Sequence, residues 1–246
     1  MNTREEFLMK EQDWRKVIKE AKKIVFFGGA GVSKGSGIPD FRGAGGLYTQ
    51  GGYSESPEEM LSNTYLRKYP EKFFAYYKNH MLYPDAKPNA AHLTLAKWER
   101  EGKLTSVITQ NVDGLHQMAG SKNVVELHGS VLRNYCVSCG EIHPLSHILE
   151  SDGVPRCRVC GAVVRPDVVL YGEGLDGVAF MQAQCDIAEA DVLIVGGTSL
   201  TVYPAAGLIQ HYRGDHLIII NQTRTPYDSW AEYVIREPIE DVLAGL

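Results

Sequence analysis

No stretch of this sequence is apolar for long enough to cross a bilayer. A spanning helix needs roughly twenty apolar residues, and runs such as Val192-Leu193-Ile194-Val195 are far shorter. A basic field is missing too. With 25 Lys and Arg against 30 Asp and Glu, the chain carries −5 at pH 7, which does not draw in nucleic-acid phosphates. The stretch Met1 to Lys10 mixes Arg, Glu and Lys and lacks the apolar core of a secretion signal. The expectation is a cytoplasmic protein whose partners include neither membrane nor nucleic acid. Repeats and low-complexity segments are absent. Cysteine is scarce and odd in number, five in all, which speaks against a disulfide framework. What remains is average: 44% hydrophobic and 22% charged residues in 246, enough for one large domain with a smaller insertion.

Five short aliphatic or β-branched runs are each followed by glycine, polar turn residues or helical pattern. They are Ile24–Phe27, Leu104–Ile108, Val124–Leu127, Val192–Val195 and Leu217–Ile220. Nearly continuous apolar strands belong to a parallel sheet covered on both faces. Between them Asn89 can cap a helix ending near Gly102, and Phe180–Ala190 reads as another. The alternation predicts a doubly wound α/β domain over 1–43, 85–131 and 165–246. Two segments interrupt it. Residues 44–84 are rich in Gly, Tyr and Pro, with helical pattern over Pro57–Leu66 and Glu71–Met81. Residues 132–164 hold two cysteine pairs. Both read as insertions forming a small domain, with a ligand cleft between the two domains.

The first strand leads into Gly28-Gly29-Ala30-Gly31-Val32-Ser33-Lys34-Gly35-Ser36-Gly37. Glycines let backbone N–H groups approach a phosphate, and a following helix N-terminus favours negative charge. The dinucleotide spacing is met only loosely, and a plain strand-to-helix turn is the alternative. Ile38-Pro39-Asp40-Phe41-Arg42 adds an aromatic and a guanidinium. Thr109-Gln110-Asn111-Val112-Asp113 and His128-Gly129 both follow strands, where polar side chains reach the ligand crevice of an α/β sheet. A histidine there can act as general base. His128, and less strongly His116, stand out for that reason. Gly197-Thr198-Ser199 and Asn221 end two further strands. Arg165 to Glu173 reads as an extended segment able to pair with a peptide, or as a plain edge strand.

Cys136-x-x-Cys139 and Cys157-x-x-Cys160 are the most specific signal. Two CxxC knuckles close a tetrahedral S₄ site that suits Zn²⁺ and leaves no open position, so the metal is expected to be structural. Cys185 is left over, and a small buried core residue is its simplest reading.

Together these segments resemble the sirtuin family of NAD-dependent protein-lysine deacylases, in its bacterial-type single-domain form. The motifs run in the family's order from about Lys23 to the C-terminus. The resemblance implies a Rossmann-type doubly wound sheet with a smaller domain of zinc ribbon and helical insertion. It implies NAD as a consumed co-substrate, one structural Zn²⁺, acyl-lysine proteins as substrates, nicotinamide as product and inhibitor, and a monomer. Ala30, Lys34, Arg42 and Gln110 would contact the phosphates and ribose, Phe41 would cover the nicotinamide, and Val112 with Asp113 would hold the carboxamide. Thr198, Ser199, Asn221 and Ile239 would bind the adenosine half. His128 would be the general base beside Asn111 and Asp113. Val168, Val169, Leu170, Tyr171, Gly172 and Glu173 would flank the peptide. The implied reaction expels nicotinamide, lets the acyl oxygen capture the ribosyl carbon, and yields lysine and O-acetyl-ADP-ribose.

Two positions depart from the family pattern. Many relatives have a small residue at Lys34. Relatives that prefer succinyl and malonyl groups carry a Tyr-x-x-Arg pair where this chain has Phe74 and Tyr77, so an uncharged acyl group is expected. Alternatives are a protein ADP-ribosyltransferase using the same nicotinamide-leaving step, a deacylase for longer aliphatic chains, and a non-catalytic NAD or zinc-ribbon module, which would need no base at His128.

Overall fold

The computed structural model describes residues 13–40, 46 and 54–246; Phe41 and Arg42 lie outside the described residues. The strands are β1 (Ile24–Gly28), β2 (Leu104–Thr109), β3 (Val124–Glu126), β4 (Gly129–Cys136) and β5 (Ile142–Pro144), followed by β6 (Val164–Val168), β7 (Val192–Gly196), β8 (His216–Ile220) and β9 (Tyr233–Ile235). Six pair in the order β3-β2-β1-β7-β8-β9, every pairing parallel. The chain winds outward from β1 in one direction, returns, and winds outward in the other. The strand order therefore reverses between β1 and β7, and a crevice opens outside their carboxyl ends.

Side chains alternate across this sheet with the two-residue period of a strand. Val25, Phe27, Leu193, Val195, Leu217 and Ile219 enter one apolar layer, against Ala183 and Ile187. Ile24, Phe26, Val192, Ile194, Ile218 and Ile220 enter the other, against Leu95, Trp98, Val242 and Leu243. Burial on both faces explains why the strands read as unbroken apolar runs.

The helices follow from their caps. In α1 (Pro57–Met60) and α2 (Asn63–Lys68) the pattern expected over Pro57–Leu66 is divided in two. Ser62 breaks it by taking the N-cap of α2, its hydroxyl accepting the Tyr65 N–H. Helix α3 (Pro70–His80) follows, then α4 (Ala90–Arg100), capped as expected by Asn89. After α5 (Leu115–Ala119) and α6 (Leu145–Glu150) comes α7 (Gly177–Glu189), which starts three residues before the expected Phe180 because Asp176 caps it. The last is α8 (Ile239–Ala244). Ala183, Asp186 and Ile187 form the buried face of α7. Cys185 lies off that face and is exposed, so the buried-core reading of this residue is corrected.

Strands β5, β4 and β6 form a separate antiparallel sheet. Its Val131, Cys136, Val164 and Val168 share one apolar core with Leu61, Leu66, Phe73, Phe74 and Tyr77 of the α1–α3 region. The cysteine-bearing ribbon and the helical segment thus stabilise each other. Truncating fully buried Phe74 to alanine is worth about 3–5 kcal/mol at such a site.

Candidate active site

A cleft of about 990 Å³ lies at the carboxyl ends of β1, β2 and β7. On one side two turns interlock. A Cβ on Gly31 would stand 2.7 Å from the Gly197 Cα, and one on Gly197 only 2.4 Å from the Val32 N. Gly29 and Gly31 donate their N–H groups to the carbonyls of Gly196 and Gly197, at 3.1 and 2.7 Å. These glycines therefore let two turns touch, and their N–H groups are committed within the protein. The expectation that they approach a phosphate directly is revised on that point. The segment after them is a short 3₁₀ helix, Ala30–Ser36.

Buried Ser33, on that helix, meets the β2 turn. Its hydroxyl donates to Asp113 Oδ2 at 2.7 Å and accepts from Asn111 Nδ2 at 3.0 Å. Asp113 Oδ1 takes the Leu115 N–H at 2.9 Å. Burial raises the Asp113 pKa, against these hydrogen bonds, which lower it. Gln110 donates from Nε2 to Thr198 Oγ1 at 3.0 Å, tying the β2 turn to the β7 turn.

His128 follows β3 and immediately precedes β4. Gly129 allows that reversal, with φ +76° and a missing Cβ that would sit 2.0 Å from the Asp167 carbonyl oxygen. The imidazole Nδ1–H donates to the Gln110 carbonyl at 2.9 Å. The acceptor has no proton of its own, so it fixes the tautomer and leaves the lone pair on Nε2. Burial lowers the His128 pKa below its ordinary 6.5, only partly opposed by the Gln110 bond. The ring is neutral at pH 7, and the cleft is equipped to accept a proton there.

The cleft brings together the described residues that the sequence singled out for it, His116 excepted. Ala30, Lys34, Gln110, Asn111, Val112, Asp113, His128, Thr198, Ser199, Asn221 and Ile239 line it, as do Val168 through Glu173. Lys34 is exposed and pairs with Asp40 at 3.5 Å. His116 does not belong. It is 1% exposed, packed against His92 and Phe26, and burial lowers its pKa to about 3. Its position on α5 turns it inward, so its candidacy as base is withdrawn.

A Sir2 family model matches residues 29–204, spanning the interlocked turns, the His128 turn and all four knuckle cysteines. The chain belongs to the Sir2 family. It is 53% identical to an NAD-dependent protein deacetylase of Clostridium acetobutylicum, over 96% of this chain and 97% of that one. It is 55% identical to the Clostridium perfringens protein of that name, over 93% and 95%. A solved Sir2 variant with deacetylated peptide and 3′-O-acetyl-ADP-ribose superposes with a TM-score of 0.86 at 38% identity, covering 94% of this chain and 95% of that one.

In this Sir2 chain the four knuckle cysteines converge, with all sulfurs within 4.8 Å of one another. Three sulfur pairs stand 3.4, 3.7 and 3.5 Å apart. Four thiolates about 2.3 Å from Zn²⁺ in a tetrahedron are separated by roughly 3.8 Å, so the donor set fits that ion. Each knuckle is built alike: Gly140 N–H bonds the Cys136 carbonyl at 3.1 Å, and Gly161 N–H that of Cys157 at 2.9 Å. The cysteines are absent from the cleft lining, which places the metal in a structural role.

The Sir2 cleft also has residues that sequence reasoning did not assign. Ser33 joins Asn111 and Asp113 across 78 and 80 residues, a relation no local pattern displays. Val202, Tyr203 and Pro204 form a wall of the cleft, and a Tyr-Pro pair after a glycine-rich turn was the available signal. Arg236 supports the turn after β8, with Nη1 donating to the carbonyls of Asn221 and Thr223 at 2.9 and 2.7 Å.

Proposed function

We propose that this cleft performs NAD-dependent deacetylation of protein lysines, with nicotinamide and O-acetyl-ADP-ribose as the other products. The observation that carries the reading is His128, a neutral imidazole of fixed tautomer on the wall shared by a polar turn cluster and an extended segment. The residues present fit NAD: hydroxyls and amides of Thr198, Ser199 and Asn221 for the adenosine half, Ala30, Lys34 and Gln110 toward phosphates and ribose, and Val112 with Asp113 for the carboxamide. Ile239 closes the adenosine end. When bound, NAD supplies the leaving nicotinamide and the ribosyl carbon that takes up the acyl oxygen. Asn111, held by Ser33, orients polar groups beside that carbon. Nε2 of His128 accepts the proton of a ribose hydroxyl, which frees that oxygen to take the acyl group. Val168 to Glu173 flank the acyl-lysine peptide by strand addition.

The fold is divided for this purpose between the large parallel-sheet domain and a small domain assigned to residues 44–84 and 132–164, of which 44, 45 and 47–53 lie outside the described residues. The protein acts in the cytoplasm as a monomer, with nicotinamide as inhibitory product. Elution as a single chain checks the oligomeric state. Mass spectrometry of an acetyl-lysine peptide, with and without NAD, tests the reaction: one nicotinamide should appear per acetyl group lost. Label from NAD fixed to protein, with no free O-acetyl-ADP-ribose, would establish ADP-ribosyl transfer instead.

Apolar Leu61, Tyr77, Met81, Val131, Leu145 and Val168 line the part of the cleft toward the small domain. Tyr77 is fully buried there, Phe74 is buried in the apolar core and does not line the cleft, and Arg165 is already paired with Glu173 at 2.6 Å. Tyr77 Oη, buried and without a hydrogen-bond partner among the described residues, offers a neutral donor but no positive charge. An acyl carboxylate would therefore be desolvated without a counter-ion of its own, at a cost of several kcal/mol. Succinyl-lysine should therefore turn over at least about tenfold more slowly than acetyl-lysine, since each decade corresponds to about 1.4 kcal/mol. A succinyl peptide with the higher kcat/KM refutes the uncharged preference; a longer aliphatic acyl group tolerated as well as acetyl extends it.

A further inference from the structure

The extended segment after β6 is held from three directions. The Val169 N–H donates to the carbonyl of His128 at 2.9 Å, so the segment hangs on the same residue that supplies the imidazole. The Tyr171 N–H donates to the Leu61 carbonyl, and the Asn63 N–H donates to the Tyr171 carbonyl, both at 3.1 Å. The break between α1 and α2 makes those two groups of the helical segment available. Beneath the strand lies Arg165, whose side chain is 10% exposed. Its Nη2 donates to the Val168 carbonyl at 2.8 Å and its Nε to the Pro166 carbonyl at 3.1 Å. The guanidinium also grips both oxygens of Glu173, at 2.6 and 2.9 Å.

Glu173 has further donors. Its Oε2 accepts the Leu170 N–H at 2.9 Å, and its Oε1 accepts from Asn63 Nδ2. Burial by itself would push this carboxyl up, but the hydrogen bonds from Arg165, Leu170 and Asn63 outweigh it and hold the pKa at about 2. A carboxylate offers about four acceptor positions, and these four donors fill them. Glu173 therefore lies on the cleft wall with its side chain committed to the protein.

We propose that Arg165, Glu173 and Asn63 form a brace that fixes the Val168–Tyr171 strand in register with His128 and so sets affinity for the peptide. The three are positioning residues. The inference rests on the reading of that strand as the peptide-binding wall. The brace shares none of its bonds with the interlocked turns on the NAD side, so its loss should separate the two substrates kinetically.

The test is steady-state kinetics of Glu173→Gln and Asn63→Ala with an acetyl-lysine peptide and NAD. Breaking a part-buried, charge-assisted network should raise the peptide KM about tenfold in Glu173→Gln, and about threefold in the milder Asn63→Ala. KM for NAD and kcat should stay within about twofold of wild type, a limit set by the roughly twofold context dependence of such effects. If Glu173→Gln does not fold, Asn63→Ala, which loses one side-chain bond, decides the matter. A folded variant whose peptide and NAD KM values rise together overturns the brace, as does an unchanged peptide KM in both variants. Hydrogen exchange of the wild-type protein separates the underlying reading. Peptide-induced slowing across residues 168–173 supports the wall, and its absence removes the wall and the brace together.

Discussion

Replacing His128 by alanine is expected to lower kcat by about a thousandfold, within the range that a positioned general base contributes, with KM for NAD little changed. The expectation rests on the Nδ1–H bond to the Gln110 carbonyl, which presents Nε2 as the proton acceptor. Thermal unfolding should report an intact fold, because the ring is only half-buried. The pH dependence carries the same argument. Burial lowers the His128 pKa, so the neutral form that accepts a proton persists below pH 6.5 and disappears as pH falls through the shifted value. kcat/KM should approach its plateau by pH 7.5 and fall on an acid limb whose midpoint is below 6.5. An H128A variant with near wild-type kcat, or an acid midpoint above 6.5 assigned to this histidine, would remove it from the base role.

The second large effect concerns the metal. Binding of structural Zn²⁺ contributes on the order of 10 kcal/mol in small zinc modules, comparable with the whole stability of a typical domain. Cys136 and Cys157 sit in the same apolar core as Phe73, Phe74, Tyr77 and Leu61. Loss of the ion should therefore loosen the helical segment as well as the ribbon, and with it the strand that flanks the peptide. Cys157→Ser, or chelation followed to completion by elemental analysis, should abolish deacetylation and speed hydrogen exchange over residues 60–77 and 129–168. The parallel sheet should keep its protection. Full activity in verified metal-free protein would show that the knuckles close without the ion.

Much of the large sheet is legible in the sequence because two-sided burial makes each of its inner strands an unbroken apolar word. Strand β9 escaped that reading. It is three residues long, with Val234 exposed, and lies at the sheet edge, where no second apolar face is required. Strand β4 was missed for a different reason: it mixes buried Ser130, Val131 and Asn134 with exposed Leu132 and Arg133, and its longer pairing is with β6, across the cysteine knuckles. The site residues at strand ends were accessible because a parallel sheet delivers its loops to one crevice. Their mutual bonds were not, since Ser33 meets Asp113 and Gln110 meets Thr198 only after folding. His116 and Cys185 show the limit of residue type as evidence. Each was judged by its chemistry, and helix phase then turned the one into the core and the other toward solvent.

The interlocked turns at Gly29, Gly31 and Gly197 also bear on the entropy of cofactor capture. Their N–H groups already have partners, and the facing backbones leave no room for a methyl group between them. The adenosine-side wall is thus held by the protein's own backbone bonds and close packing, so a dinucleotide docking there needs little ordering of the main chain. ADP-ribose should accordingly associate with a calorimetric signature close to rigid docking, and an alanine at residue 31 should convert that same event into one that must first drive two loops into place.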